Sequence, residues 1–370
     1  MKIDRIILSD FRNFTALNLE PDAEINIFLG RNAQGKTNIL EAIHFASLGI
    51  SRAAKDTELI RWGENSAVIR LDFARAEVSH SLAIEISAER RRKILLDGNA
   101  IRLRSLIGRL ATVMFSPEDL FMFKGAPAVR RKFLDAVISQ ASPVYFSDLT
   151  AYNRLVEQRN VLLKKIREGS AAPNNLELWN EQLAKTAAKI LVKRLATVEK
   201  LNAVARNVQQ EISTQAEELS ISYDLRGLQD LNAPENFDAD FLSRWYCENL
   251  RARNFSDVQR GSTSLGPHLD DLQFFLNGRE LRQYGSQGQI RTTTLALKLS
   301  ELQLLKSAAG EYPILLLDDV MSELDAARRA QLLAFLLREQ IQTLITATEK
   351  SYFPAEPVGK IFSVEGGRIL

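Results

Sequence analysis

Eight consecutive residues, Gly30-Arg31-Asn32-Ala33-Gln34-Gly35-Lys36-Thr37, fit the pattern G-x-x-x-x-G-K-[ST]. The two glycines let successive backbone N–H groups turn toward one hollow and bind phosphate oxygens. A lysine at the seventh place reaches the β- and γ-phosphates, and a hydroxyl at the eighth completes the coordination of Mg2+. A β-rich run, 25–29, leads into the loop, and helical spacing over 38–45 leads out of it, as that chemistry requires. Far downstream, Ile314-Leu315-Leu316-Leu317-Asp318-Asp319 is an apolar strand ending in two acids. Asp318 would hold the magnesium, directly or through water, and Asp319 would orient or deprotonate the attacking water. Alone, acids at a strand end are often helix caps; beside a phosphate loop they complete a nucleotide site.

A third motif adds a second half to that site. Tyr284-Gly285-Ser286-Gln287-Gly288-Gln289 precedes a helical run from about 287 to 306. Ser286 as N-cap, with the helix behind it, presents N–H donors and positive partial charge suited to a γ-phosphate. A single copy of the chain would leave that helix end facing nothing. After the two acids comes Ser322-Glu323-Leu324-Asp325.

The elements that must position these residues can be read coarsely. The first third is α/β, with strands over 3–8 and 25–29, then alternation from 67 to 100 with Asp97-Gly98 as a hairpin turn, an antiparallel sheet lobe. Ser116-Pro117-Glu118-Asp119 marks a helix start. Residues 118–251 are almost all helical. Apolar residues recur at three-to-four spacing through Leu155, Leu162 and Ile166, and again from Leu183 to Ile212, either side of a loop at 169–175. The second helix would be about 50 Å long. The pair suggests a short coiled-coil arm, with helices packed on a globular core as the alternative. The last third returns to α/β, with a hairpin turning at Asn277-Gly278 and strands at 314–317 and 342–346. Lys36 and Asp318 lie 282 residues apart, so something large is inserted between them, and the helical arm is the obvious insert.

Composition narrows the partners. The chain has 370 residues, 45% hydrophobic and 25% charged, which suits a globular protein of two domains or one with an insertion. With 48 Lys+Arg against 46 Asp+Glu the net charge is +2, so nucleic acid would have to be met by local patches. Two clusters qualify: Arg90-Arg91-Arg92-Lys93 and Arg130-Arg131-Lys132, with Arg102, Arg104 and Arg109 between them. They suit sequence-independent phosphate contact, and a solvated charged face explains each equally well. One cysteine, Cys247, excludes a disulfide scaffold, and His44, His80 and His268 show no metal-ligand spacing. Apolar runs are too short to span a bilayer, and Met-Lys-Ile-Asp-Arg runs straight into strand-like sequence. A cytoplasmic chain with no membrane partner is the expectation.

The motif order is that of the ABC ATPases: Walker A at 30–37, signature at 284–289, Walker B at 314–319, D-loop at 322–325. LSDFRNF (8–14), GRNAQGKTNILEA (30–42), ELIRWG (58–63), FSPEDL (115–120) and the segments 266–272, 284–291 and 313–325 together resemble the RecF family of bacterial recombination mediators, relatives of the SMC proteins with a much shorter arm. The resemblance implies an α/β, ABC-type P-loop ATPase head with an antiparallel β lobe and an inserted helical (short coiled-coil) arm. The division would be 1–117 and 252–370 for the head and 118–251 for the arm. It implies an ATP-dependent homodimer with ATP and Mg2+ as cofactors. Each ATP would lie between loop 30–37 of one copy and Ser286, Gln287, Gly288 and Gln289 of the other. Thr37 and Asp318 would hold the metal; Asp319, Lys36 and Asp318 would carry a slow, DNA-stimulated hydrolysis; Arg12 would approach the nucleotide. Duplex or gapped DNA, or a single-strand junction, would meet Arg91, Arg92, Lys93, Arg130 and Arg131. RecR and RecO would be partners in loading RecA at gaps, in DNA replication, recombination and repair and in the SOS response. Leu269 stands where the family usually has Arg, and Ile290 where it has Gln. Asp319 matches the family, whereas most ABC ATPases have Glu there; the shorter acid points to a switch rather than a motor. Thr346 takes the place of a switch histidine. An SMC-like chromosome organiser would need an arm hundreds of residues longer. An ABC transport ATPase is disfavoured by the insertion and by the form of the signature, and a small-molecule kinase would need no signature at all.

Overall fold

The computed structural model describes residues 1–50, 55–213, 217–226, 238–355 and 358–370. Along the chain, β1 (Lys2–Phe11), β2 (Phe14–Leu19) and β3 (Ile25–Leu29) precede α1 (Lys36–Leu48). Then come β4 (Ser66–Arg75), β5 (Val78–Ser87), β6 (Lys93–Leu96), β7 (Asn99–Ile101), the short α2 (Leu103–Leu106) and β8 (Thr112–Phe115). Helices α3 (Pro127–Ala141), α4 (Pro143–Arg167) and α5 (Leu176–Ile212) follow, then β9 (Leu219–Asp224), α6 (Ala239–Ala252) and α7 (Asn254–Arg260). The remainder is β10 (Asp271–Leu276), β11 (Arg279–Glu280), α8 (Leu281–Tyr284), α9 (Gln287–Ala309), β12 (Ile314–Asp318), α10 (Ala326–Arg338), β13 (Thr343–Ala347), β14 (Lys360–Glu365) and β15 (Arg368–Ile369).

The chain forms two compact units. The first comprises Met1–Phe121, Asn207–Glu217 and Ser286–Leu370. It holds a sheet in the order β15-β14-β3-β13-β12-β8, parallel except for the edge strand β15. β12 and β13 are buried at every position, the uniform apolar pattern of strands covered on both faces. The strands carrying the two nucleotide motifs, β3 and β12, are not neighbours; β13 lies between them and pairs with both. A second, antiparallel sheet runs β2-β1-β4-β5-β6-β7 and is the expected lobe. Its core face is built by alternation: Ile69, Leu71 and Phe73 of β4 and Leu82, Ile84 and Ile86 of β5 join Phe11, Phe14 and α1's Ile39, Ile43 and Phe45 in one buried cluster. The hairpin turn at Asp97 (φ 51°) and Gly98 (φ 78°) has both central residues left-handed, as a type I′ turn needs.

The second unit comprises Met122–Arg206 and Glu218–Gly285. It is helical but also contains the sheet β11-β10-β9. α5 has 37 residues, about 55 Å at helical rise, and its last residues, 207–212, belong to the first unit. Three buried arginines organise the unit: Arg130 on Asp271 (2.7 Å), Arg159 on Asp257 (2.7 Å) and Arg194 on Asp135 (2.9 Å). A pair of bare helices could not bury such charges. The unit ends at Gly285 rather than near 251, because β10 pairs along its whole length with β9. β9 is a strand inside the stretch expected to be helical. The helix start expected at Ser116 is a 3-10 turn, Pro117–Met122. There the Asp119 carboxylate accepts from the Ser116 N–H (2.8 Å) and hydroxyl (3.1 Å). Pro127 forces Ala126 into extended backbone (ψ 153°), so α3 starts afresh beyond it.

Candidate nucleotide site

The phosphate loop is held open by its neighbours. α1 starts at Lys36 with Gly35 as N-cap at φ 108°, no side-chain cap and no acid in its first turn, which leaves its first N–H groups to an anion. A Cβ on Gly35 would lie 2.5 Å from the Asn13 amide, and one on Gly30 2.3 Å from the Val364 carbonyl oxygen, so both glycines are required by close approach. Asn13 donates to the Gln34 carbonyl (2.9 Å) and accepts from the Asn38 amide (2.8 Å). The turn before β15 closes the other side: Gly366 N–H donates to Gln34 Oε1 (2.7 Å) and Gly367 N–H to Gln34 O (3.1 Å). No motif singles out Asn13; the only signal is its place in LSDFRNF.

Lys36 is 7% exposed, and its ammonium donates to the carbonyls of Gly30 (2.7 Å) and Arg31 (2.8 Å), inside the loop it is expected to serve. Burial lowers its pKa, and the carboxylates of Asp319 and Asp318 oppose that. Thr37 Oγ1 donates to Asp318 Oδ1 (2.8 Å), and Thr346 Oγ1 donates to the same oxygen (2.7 Å). Thr346 also accepts the Asp319 N–H (2.9 Å), so the residue expected at the switch position grips both acids. Asp319 is left-handed (φ 52°), a costly conformation for a non-glycine residue, and Ser322 Oγ on its carbonyl (2.7 Å) helps hold it. Its Oδ1 is buried, with no hydrogen-bond partner among the described residues. Burial raises its pKa first; Lys36 opposes, while Asp318 and Glu323 push it further up.

A hydroxyl and a carboxylate on adjoining elements are hard oxygen donors, the set magnesium takes. Magnesium is usually held by one or two protein oxygens and takes substrate phosphate oxygens and waters for the rest. Thr37 and Asp318 therefore fit the metal role.

The signature helix is capped as expected. Ser286 Oγ accepts the Gln289 N–H (3.2 Å), and Gln289 Oε1 accepts the Ser286 N–H (3.0 Å), a full capping box. Gln289 also donates to Glu217 (3.0 Å), whose second oxygen accepts from Gln209 (3.1 Å). Ser286, Gln287 and Gly288 are exposed, and among the described residues no hydrogen bond joins 286–289 to the phosphate loop of the same chain. Ile290 is buried, which suits its apolar side chain. Arg291 pairs with Glu323 (2.6 Å) and so ties this helix to the D-loop.

Other expected residues sit differently. The Arg12 guanidinium is forked onto Glu41 of α1 (2.9 and 2.8 Å) and donates to the Glu58 carbonyl (3.0 Å), so it is already occupied. Arg130 is 2% exposed; both its carboxylate bonds and three carbonyl contacts point inward, so it is no surface contact for DNA. Its place on the buried face of α3 explains this, and a charge run in sequence does not reveal it. Arg131 is half-buried on the Asp270 carbonyl (2.7 Å). Arg92 turns inward to Asp56 (3.1 Å) over the Phe45 ring, whereas Arg91 and Lys93 are exposed.

The model of the RecF/RecN/SMC N terminal domain family matches residues 2–369. A "DNA replication and repair protein RecF" of Clostridium tetani is 39% identical over 376 residues, covering the whole of both chains. The chain belongs to the RecF family. The RecF of Bacillus subtilis, 37% identical over 374 residues, also matches end to end. A solved RecF–ATP structure, described as a recombination mediator in the RecFOR pathway, superposes with a TM-score of 0.90 at 36% identity, over 100% of this chain and 98% of that one. An SMC head bound to the C-winged helix domain of ScpA shares the fold, with a TM-score of 0.57 at 14% identity. The RecF assignment thus covers both units, and the ABC-type head with its helical insert is the family's architecture.

Proposed function

We propose that this RecF-family chain is an ATP-gated recombination mediator in DNA replication and repair. The observation that carries the reading is the convergence of Thr37 and Thr346 on one oxygen of Asp318, beside a Lys36 folded into the phosphate loop. ATP replaces the carbonyls now held by Lys36, and the free N–H groups of α1 take phosphate oxygens. Bound magnesium supplies charge neutralisation of the phosphates. Asp319 accepts the proton of the attacking water. Its raised pKa makes it a better base, and its short side chain keeps turnover slow. The exposed, capped start of α9 serves the nucleotide of a second copy, so ATP binds the dimer better than the separate subunits and links ligand to assembly.

DNA contact is assigned to the exposed Arg91 and Lys93, and RecR, RecO and RecA loading at gaps are the proposed partners and output. The names of the relatives support this. The place of action is the cytoplasm; no helix among the described residues is long and apolar enough to cross a membrane.

Light scattering on the chain with ATP and linear duplex tests the shared site. Lys36→Met and Ser286→Arg variants should each fail to dimerise alone. Mixed one to one, they should regain dimers, because one of the two composite sites is then intact. Mixtures as monomeric as each variant alone would show that the signature serves its own chain.

A further inference from the structure

Some arginines of the helical unit pair with acids. Arg130, Arg159 and Arg194 do so in the interior, and Arg206 and Arg251 do so at the surface with Glu218 and Glu177. Arg226, Arg253 and Arg260 are set apart by standing together. They line a single hollow of about 370 Å³ together with Ser262, Ser264 and Leu269, and among the described residues none of the three has a carboxylate partner.

The acids nearby are already engaged. Asp257 is fully buried against Arg159 (2.7 Å). Asp270, 1% exposed, accepts from the Tyr223 hydroxyl (3.0 Å) and the Arg226 N–H (3.2 Å), and burial pushes its pKa up to about 6. Three guanidinium groups around one cavity repel each other unless an anion enters. The Ser262 and Ser264 hydroxyls have no hydrogen-bond partner among the described residues and add neutral donors at the wall. Among the described residues no aromatic ring lines the hollow; its side chains are arginines, hydroxyls and the aliphatic Leu269. Planar cationic forks plus hydroxyls are the chemistry of phosphate recognition. Arg226 and Arg260 are exposed at the rim, so a strand passing over the surface can seat a phosphate without opening the fold.

We propose that this hollow binds backbone phosphates of nucleic acid, as a contact separate from Arg91 and Lys93; it rests on the DNA-binding reading above. The test is fluorescence anisotropy of a labelled duplex with the full chain, titrated across salt. Each phosphate contact contributes about 0.9 to the slope of log K against log salt. Arg226→Ala/Arg260→Ala should therefore bind less tightly and lower the slope by about 2. Leu269→Arg, which adds a fork to the wall, should raise it by about 1. Circular dichroism of both variants checks that the fold is kept. Unchanged slopes in both variants, with wild type binding duplex normally, would overturn the pocket and leave the DNA reading standing. Weaker binding at an unchanged slope would mark a packing effect and overturn it equally. Calorimetry with pyrophosphate separates the other source of the same chemistry. Pyrophosphate bound by wild type and lost in the double variant, with duplex slopes unmoved, would make the site one for a small anion. A wild-type chain that ignores duplex altogether would remove the DNA reading and this pocket together.

Discussion

Asp319 concentrates the chemistry of the site in one side chain. It is left-handed, half-buried, with one carboxylate oxygen unpartnered among the described residues and its pKa raised by burial and by the neighbouring Asp318 and Glu323. A base with a raised pKa loses its working form sooner on acidification, so hydrolysis should fall as pH drops through a value above the ordinary carboxylate range. Glu323→Gln removes one of the charges holding that pKa up, so the acid limb of the pH–rate profile should move to lower pH. An acid limb that stays put would take Asp319 out of the base role. Asp319→Asn should cost about 10²–10⁴-fold in hydrolysis while nucleotide binding, measured with a fluorescent ATP analogue, survives. At this scale the sequence was most legible where the chemistry is contiguous. Residues 30–37 and 314–319 carry their spacing with them, and Ser286 and Gln289 announce their capping box. Asn13, Glu41 and Glu217 do not, because each acts through a contact formed by folding; Asn13 and Glu41 stand in the quoted segments 8–14 and 30–42, but no spacing there states their role.

Elements were legible to the degree that one face decides them. The alternation of β4 and β5 and the two Asp-Gly and Asn-Gly turns could be read directly, and each turn has both of its residues left-handed. β9 escaped although Leu219, Ile221 and Tyr223 alternate with Ser220, Ser222 and Asp224, because so short a run lies between two helical stretches. α3 shows the opposite difficulty. Its basic run reads as a surface patch, yet one of its three residues, Arg130, faces the core, and only the distant Asp271 on β10 explains it. Arg130→Ala leaves that carboxylate buried without its partner. It should destabilise the helical unit by about 3–5 kcal/mol, seen as an early step in thermal unfolding. Arg91→Ala, which strips a solvated side chain, should leave the melting curve within about 0.5 kcal/mol of the parent.

Across the whole molecule, the insertion inferred from the distance between Lys36 and Asp318 is real, but its edges were not readable, since they are set by pairing between β9 and β10 rather than by composition. The first unit is gathered from three separate stretches of chain. Its phosphate-loop strand has β13 on one side and β14 on the other, and Gln34 is clasped by Gly366 across 332 residues of sequence. During synthesis, therefore, β3 leaves the ribosome with both of its hydrogen-bonding edges bare and must wait for nearly the whole message to be translated before either is covered. A nascent chain in that condition is an aggregation hazard and a natural client for holding chaperones. Stopping the chain after residue 359 should yield insoluble protein that never acquires nucleotide affinity, as pelleting assays on the translated product would reveal; a soluble, ATP-binding fragment would mean that the loop matures without its late-arriving strand.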